Sequence, residues 1–346
     1  MNVLVFALLS EKKLLSKLEP LASNKRIETI YLIRKFPVSG KKIVCFSPPI
    51  FLTRNIFLVE LYRLVAGFYV SIFCAPKYII GVHYFIHSIL ADFFSRLFKK
   101  KLILLVTENP KLYNDNKRYF KILKRCYKIG VRGNNSLEYL YEKGLNKENK
   151  IFIPQNVFKV PPIEKCKVKL YDLIFIGNLN SDKRPDVFLK VVAEVKKYIP
   201  SVRSVILGDG KMKNEILKQI KSLSLEKNIE VLGYRKNVTD YLNKSKLLVM
   251  TSQTEGMPMV ILEAMTFGVP CVVPDVGDIT DVAINDYNSK VIKGLNIKHF
   301  SDAIVNCIND QNLYKKLSNN SLKTIADNKK KYSIKSIAKE WEKIIK

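Results

Sequence analysis

Short apolar runs alternate with amphipathic stretches along the whole chain. In the first half, residues 3–6, 42–46, 78–82, 102–106 and 128–131 read as strands, and helical periodicity is found at 85–98 and 136–143. In the second half, 173–176, 204–207, 230–232, 247–250 and 271–273 read as strands, separated by amphipathic helices such as 185–197 and 211–223. Strands that alternate with helices in this way predict an α/β protein with parallel sheets wound on both faces. Ligands of such sheets bind outside the carboxyl ends of the strands. Lys183, Gly208 and Glu255 each follow such an end, so the pattern alone places them on one edge.

At 346 residues the chain exceeds what a single hydrophobic core usually organises. The periodic segments are interrupted at 156–170, where Pro161-Pro162 stands in a lysine-rich polar stretch. Two domains with a cleft between them are therefore expected, 1–160 and 171–330, with 331–346 as a closing helix. The most apolar window is 57–74, but Glu60 and Arg63 fall inside it and Gly67 divides it. An uninterrupted span needs about 20 apolar residues, so this window is read as a buried or interfacial helix. No basic stretch precedes the apolar run at 3–7, which is expected to be a first strand and not an export signal. Cytoplasmic placement is the expectation that follows.

The run Ser252-Gln253-Thr254-Glu255-Gly256-Met257-Pro258-Met259-Val260-Ile261-Leu262-Glu263 carries the densest chemistry. It follows an apolar strand pattern, and Pro258 suits the first position of a helix, where a missing N–H costs nothing. The amides of Met259 and Val260 would then be free at a helix N-terminus, which favours an anion such as a phosphate. Glu255 precedes the helix and Glu263 lies one turn inside it, so the two carboxylates can bracket a ligand. Carboxylates accept hydroxyl hydrogen bonds and repel phosphate. The expected division is hydroxyls on Glu255 and Glu263 and charge on the amides.

These residues resemble a known pattern. Glu255-Gly256-Met257-Pro258, Glu263-Ala264-Met265 and Gly268-Val269-Pro270 are similar, in order and spacing, to the hallmark of the retaining glycosyltransferases of family 4, which have the GT-B fold. Ile174-Phe175-Ile176-Gly177-Asn178-Leu179 with Lys183 resembles that family's strand, glycine and phosphate-binding lysine. Val205-Ile206-Leu207-Gly208-Asp209-Gly210 resembles its strand ending in Gly-Asp-Gly, and Ile229-Glu230-Val231-Leu232-Gly233 its next strand and glycine. The stretch from Tyr332 to Trp341 looks like the helix such proteins lay back across the first domain. The resemblance is strong over 171–345 and weak before it. It departs from the family at Asn178, where an arginine is usual, at 3–7, which lacks a following glycine-rich loop, and at Thr107-Glu108-Asn109-Pro110, where many relatives carry a histidine.

The resemblance implies two facing Rossmann-like domains and a transfer reaction. The donor would be a nucleotide diphosphate sugar, a UDP-sugar ahead of a GDP-sugar, held by Gly177, Asn178, Lys183, Gly208, Gly233, Tyr234, Glu255, Gly256, Met257, Pro258, Met259, Val260 and Glu263. Lys183 and the amides of 256–260 would stabilise the departing diphosphate without a metal or other cofactor. Glu255 would hold hydroxyls of the transferred sugar and Glu263 those of the ribose, with Glu255 and Lys183 as the catalytic pair. No covalent nucleophile is assigned. The acceptor side would include Glu108, and His83 and His87, for which packed structural histidines are the alternative. A hydrolase or epimerase on the same scaffold and a catalytically silent binding subunit are the other readings.

Charge adds a partner. The chain carries +28, and residues 1–165 hold 29 Lys/Arg against 11 Asp/Glu, so the excess lies in the first half. No helix-turn-helix, zinc finger or RNA-stacking motif accompanies it, which makes nucleic acid the weaker partner. Lys99-Lys100-Lys101 beside Phe93-Phe94 and Leu97-Phe98 suggests an anionic leaflet instead, with the basic residues of 113–125 adding to it. Taken with this charge, the family resemblance implies a setting at the inner face of a plasma membrane, with a lipid-linked glycan as acceptor in cell-surface polysaccharide assembly such as capsule or O-antigen. Six scattered cysteines and three histidines have no metal-ligand spacing and read as free thiols and ordinary side chains.

Overall fold

The computed structural model describes all residues except 8, 83, 84, 146–150, 154–156, 159–165, 167 and 346. His83 and the Pro161-Pro162 break lie outside the described residues. The backbone divides into two units, one made of 1–159 with 330–346 and one of 160–329.

In the first unit, strand β1 (Asn2–Ala7), helix α1 (Glu11–Ala22), β2 (Thr29–Ile33), β3 (Ile43–Phe46), α2 (Ile56–Phe73), β4 (Tyr78–Val82), α3 (Phe85–Leu97), β5 (Lys101–Leu105), α4 (Lys117–Arg125), β6 (Lys128–Gly130), α5 (Asn134–Glu142) and β7 (Ile151–Phe152) follow one another. Among the described residues the strands form one sheet, ordered β3-β2-β1-β4-β5-β6-β7, with every pairing parallel. Alternation along β1 explains why helices cover both faces. Val3, Val5 and Ala7 enter one core, while Leu4 and Phe6 enter another with Phe94 and Val70.

The second unit repeats the plan with β8 (Tyr171–Ile176), α6 (Pro185–Lys196), β9 (Ser204–Leu207), α7 (Lys213–Ser222), β10 (Ile229–Gly233), α8 (Val238–Asn243), β11 (Ser245–Val249), α9 (Met259–Thr266), β12 (Cys271–Pro274), β13 (Ser289–Ile292), α10 (Ile297–Asn309) and α11 (Gln311–Asn328). Its described strands are ordered β10-β9-β8-β11-β12-β13, again all parallel. The order reverses between β8 and β11, the place where the loops of a doubly wound sheet splay apart. Leu173, Phe175, Ile206, Leu247 and Val249 pack with Val191, Phe188 and Phe300 on one face. Ile261, Leu262 and Met265 of α9 are fully buried.

The chain then returns to the first unit as α12 (Ile334–Ile344), which packs on α1. Ser333 caps this helix, its Oγ accepting from the Ser336 amide at 3.2 Å. Trp341 anchors it, 1% exposed, with its ring edge-on to Phe152 at 5.4 Å, and Ile337 and Ile344 join Leu14 and Leu18 in the same core. The pattern of apolar runs had not marked β2, β7, β13, α1, α10 or α11. β7 is only two residues long, and Pro20 interrupts the helical pattern of α1.

Because Trp341 fills a fully buried site, Trp341→Ala should lower unfolding free energy by about 3–5 kcal/mol. A denaturant midpoint within error of wild type would mean that α12 contributes no core packing.

Candidate active site on the second sheet

The carboxyl edge of the second sheet is assembled by loops that hydrogen-bond to one another through their backbones. The Gly177 amide donates to Leu207 O at 3.0 Å, Leu179 N to Asp209 O at 3.0 Å and Gly208 N to Gly233 O at 2.9 Å. On the other side, Gln253 N donates to Asp182 O at 2.8 Å, and Thr251 Oγ1 donates to Arg184 O at 2.8 Å. Asp278 N closes the row by donating to Gly256 O at 3.1 Å. The loops after β8, β9, β10, β11 and β12 therefore form one connected rim. Backbone hydrogen bonds left by the ends of the strands are satisfied within it.

Two close approaches explain the rim's glycines. Gly208 has φ 145°, and a Cβ there would lie 1.8 Å from the Gly177 carbonyl oxygen. Gly277 has φ 60°, and a Cβ there would lie 1.9 Å from the Glu255 carbonyl oxygen. No L side chain fits either place. Gly277 and Asp278 thus clamp the Glu255-Gly256 backbone from the far side of the loop.

The Lys183 ammonium is ion-paired with Glu255 Oε1, across 72 positions of sequence. Ser252 Oγ donates to the same carboxylate oxygen at 2.7 Å. The Glu255 side chain is 8% exposed and that of Lys183 28%, so the carboxylate sits inward and the ammonium reaches toward solvent. The cation and the hydroxyl donor replace hydrogen bonds that burial denies this carboxylate from water. Lys183 is itself held by its backbone, its amide donating to Asn180 Oδ1 at 3.1 Å.

Of the residues singled out from sequence, Gly177, Lys183, Gly208, Gly233, Glu255 and Gly256 meet on this rim. Asn178 is exposed on the first loop, Tyr234 is exposed just after Gly233, and Met257 is buried. Met259, Val260 and Glu263 are half-buried on α9. Pro258 differs from expectation. With φ −75° and ψ 120° it is the extended N-cap, and Met259 is the first helical residue. The loop enters the helix from an extended backbone, which proline's fixed φ permits and which moves the helix start by one residue.

Arg184 takes up the left-handed conformation, φ 47°, as N-cap of α6 and forms a two-bond pair with Asp186, both contacts at 2.9 Å. The guanidinium hydrogen bonds hold the Asp186 carboxyl below its ordinary range. Arg184 is therefore committed to its own helix and does not replace the arginine missing at 178. The Lys213 ammonium, 2.9 Å from Asp209 Oδ2, instead stands at the rim beside Gly233, a cation that its place on α7 concealed in the sequence. Gly277 was also missed. The signal available was a glycine shortly after the apolar run of β12, as after β8 and β9. On the first unit, His87 is fully buried on α3, and Glu108 accepts a hydrogen bond from Tyr113.

Residues 159–324 match the family described as glycosyl transferases group 1. The match spans nearly all of the second unit. Its sequence is 26% identical over 252 residues to the GalNAc-alpha-(1->4)-GalNAc-alpha-(1->3)-diNAcBac-PP-undecaprenol alpha-1,4-N-acetyl-D-galactosaminyltransferase of Campylobacter jejuni, covering 71% of this chain and 68% of that one. It is 32% identical over 143 residues to the UDP-Gal:alpha-D-GlcNAc-diphosphoundecaprenol alpha-1,3-galactosyltransferase of Escherichia coli, covering 39% of this chain and 36% of the other. In structure it is similar to HepE of Anabaena in complex with UDP-glucose, with TM-score 0.77, 17% identity and 98% of each chain covered. It is also similar to TarM of S. aureus in complex with UDP, with TM-score 0.69 and 23% identity, over 82% of this chain and 58% of that one. The fold is GT-B, and the connected rim lies within the matched residues.

Gly277→Ala would force both a left-handed alanine and a clash with the Glu255 carbonyl, whereas Gly294, at φ 68°, faces open space. Gly277→Ala should therefore destabilise the protein more than Gly294→Ala, by roughly 1–3 kcal/mol beyond it. Equal unfolding midpoints for the two variants would remove the clamp.

Proposed function

We propose that the protein transfers a hexosyl unit, with retention at the anomeric carbon, from a nucleotide diphosphate donor to a lipid-linked glycan at the inner face of a plasma membrane. The observation that carries this reading is the Lys183–Glu255 pair on the rim, beside the N-terminus of α9. A UDP-sugar is favoured, supported by the UDP-sugar named for the Escherichia coli relative and the UDP in both similar structures. The undecaprenol-linked acceptors named for two relatives support the acceptor class, in bacterial surface glycan assembly.

In this reading the Lys183 ammonium neutralises charge on the departing diphosphate, as do the backbone amides around Gly256 and the start of α9. The diphosphate competes with Glu255 for Lys183, and Glu255 turns its acceptor capacity to hydroxyls of the sugar. Glu263, one turn into α9, takes the ribose hydroxyls. The charge is met by protein groups, so no metal is invoked. The departing phosphate accepts the proton of the acceptor hydroxyl, and the new glycosidic bond forms on the face from which the diphosphate leaves.

Thermal and chemical unfolding with UDP, GDP, ADP and their sugar conjugates tests the donor class. The nucleotide used should add about 2.7 kcal/mol at a hundredfold excess over its dissociation constant. Lys183→Ala should lower turnover by the loss of a charge-assisted contact worth roughly 1.5–3 kcal/mol, and Glu263→Ala should mainly weaken nucleotide binding. Absence of stabilisation by every nucleotide would overturn the reading. Donor breakdown without acceptor would identify a hydrolase, and nucleotide binding without turnover on any glycan would identify a silent subunit.

A further inference from the structure

Helix α2 is apolar on the side that faces outward. Phe57, Leu61, Val65, Phe68 and Ile72 recur at helical spacing on one stripe, and all are exposed, Phe57 by 71%, Val65 by 61% and Ile72 by 57%. Val59, Arg63, Ala66, Gly67, Val70 and Ser71 form the opposite, buried face. A surface helix of a water-soluble unit reverses this arrangement, with polar residues outward. The 3-10 turn Ile50–Arg54 just before α2 extends the patch with exposed Ile50 and Phe51. At its other side, the Phe68 ring meets Phe93 and Phe98, each at 6.2 Å, and so joins the stripe to exposed Phe93 and Leu97 of α3.

The border of the patch is basic. Residues 50–101 contain seven Lys/Arg and two Asp/Glu. Both acids are ion-paired, Glu60 with the buried Arg63 and Asp92 with Arg96 and Arg125. Arg54 stands exposed at one end of the patch, and Lys99 and Lys101 stand exposed at the end of α3.

We propose that this face seats the protein on an anionic phospholipid bilayer, the stripe of α2 lying in the interface plane and the basic border on the headgroups. α2 is 18 residues long and is the one described helix apolar and long enough to be considered for a span. It does not cross the bilayer, because its inner face is part of the first unit's core, where Val70 packs with Phe6 and Ile79. Bilayer and patch match in two ways, apolar side chains with acyl chains and an excess of cations with anionic headgroups. A protein partner would need the first match alone. The placement at a membrane proposed above enters only in the choice of an anionic leaflet.

The test is sedimentation of the full chain with vesicles of phosphatidylcholine, with and without phosphatidylglycerol. Binding is expected only with phosphatidylglycerol, and is expected to weaken as salt is raised. Leu61→Ser/Val65→Ser/Ile72→Ser should lower the partition coefficient by at least roughly tenfold while leaving the unfolding midpoint unchanged, since these side chains are exposed. In Phe57→Trp, brominated lipid should quench emission beyond the Trp341 background. Failure to bind phosphatidylglycerol vesicles, or equal binding by the triple serine variant, would overturn the proposal. So would a dimer that the triple variant turns into monomer with vesicle binding unaltered, since the stripe would then serve a second copy of the chain. Lipid binding is read without donor or acceptor, so its failure would leave the transfer reaction standing, and loss of nucleotide binding would leave the membrane seat standing.

Discussion

Backbone meeting backbone at van der Waals limits, with no room for a Cβ, is the constraint on which the second unit's rim depends. Gly208 against Gly177 and Gly277 against Glu255 bring loops from four strands within reach of one another. The hydrogen bonds from Gly208 to Gly233 and from Asp278 to Gly256 then hold the loops in place. Without those approaches the side chains on the loops would have no common focus. Lys183 and Glu255 are far apart in sequence and can pair only because the loops after β8 and β11 lie side by side at the reversal of strand order.

The pair itself shows how burial directs chemistry. A carboxylate that is nearly sealed from water needs compensation, and Ser252 and Lys183 both converge on Glu255 Oε1. The compensating cation is the partner that remains accessible. An anionic ligand would thus meet Lys183 before it meets Glu255, which suits a site whose charged ligand end and hydroxyl-bearing end are recognised by different groups. Arg184 has no part in this, because its left-handed backbone and its bond to Asp186 direct it along α6.

In the first unit the dominant feature is an inversion of the usual amphipathic rule. α2 buries Arg63, paired with Glu60, and exposes phenylalanine, leucine, valine and isoleucine. Such a helix is costly in water and stable at an apolar boundary. The sequence window had pointed to a buried or interfacial helix, and burial alone does not account for it. What the window could not show was the direction of each side chain relative to the sheet, which buries one face of α2 and exposes the other.

The alternation of apolar runs and amphipathic stretches determined by itself that the chain is α/β with parallel sheets, because strands buried on both faces have to be apolar throughout. It also determined which strand ends carry Lys183, Gly208 and Glu255. Local spacing near 252–265 marked a loop entering a helix, although the helix begins at Met259 and not at Pro258. Elements such as β7 and α1 were not legible, since β7 is only two residues long and Pro20 breaks the helical pattern of α1. Tertiary structure decided the rest. That Gly277 braces Glu255, that Asp186 claims Arg184, that Trp341 returns to Phe152 and that the stripe of α2 faces outward are all contacts or exposures between distant positions. Sequence spacing carries periodicity within an element, while the distance between two elements exists only once the sheet has set their order.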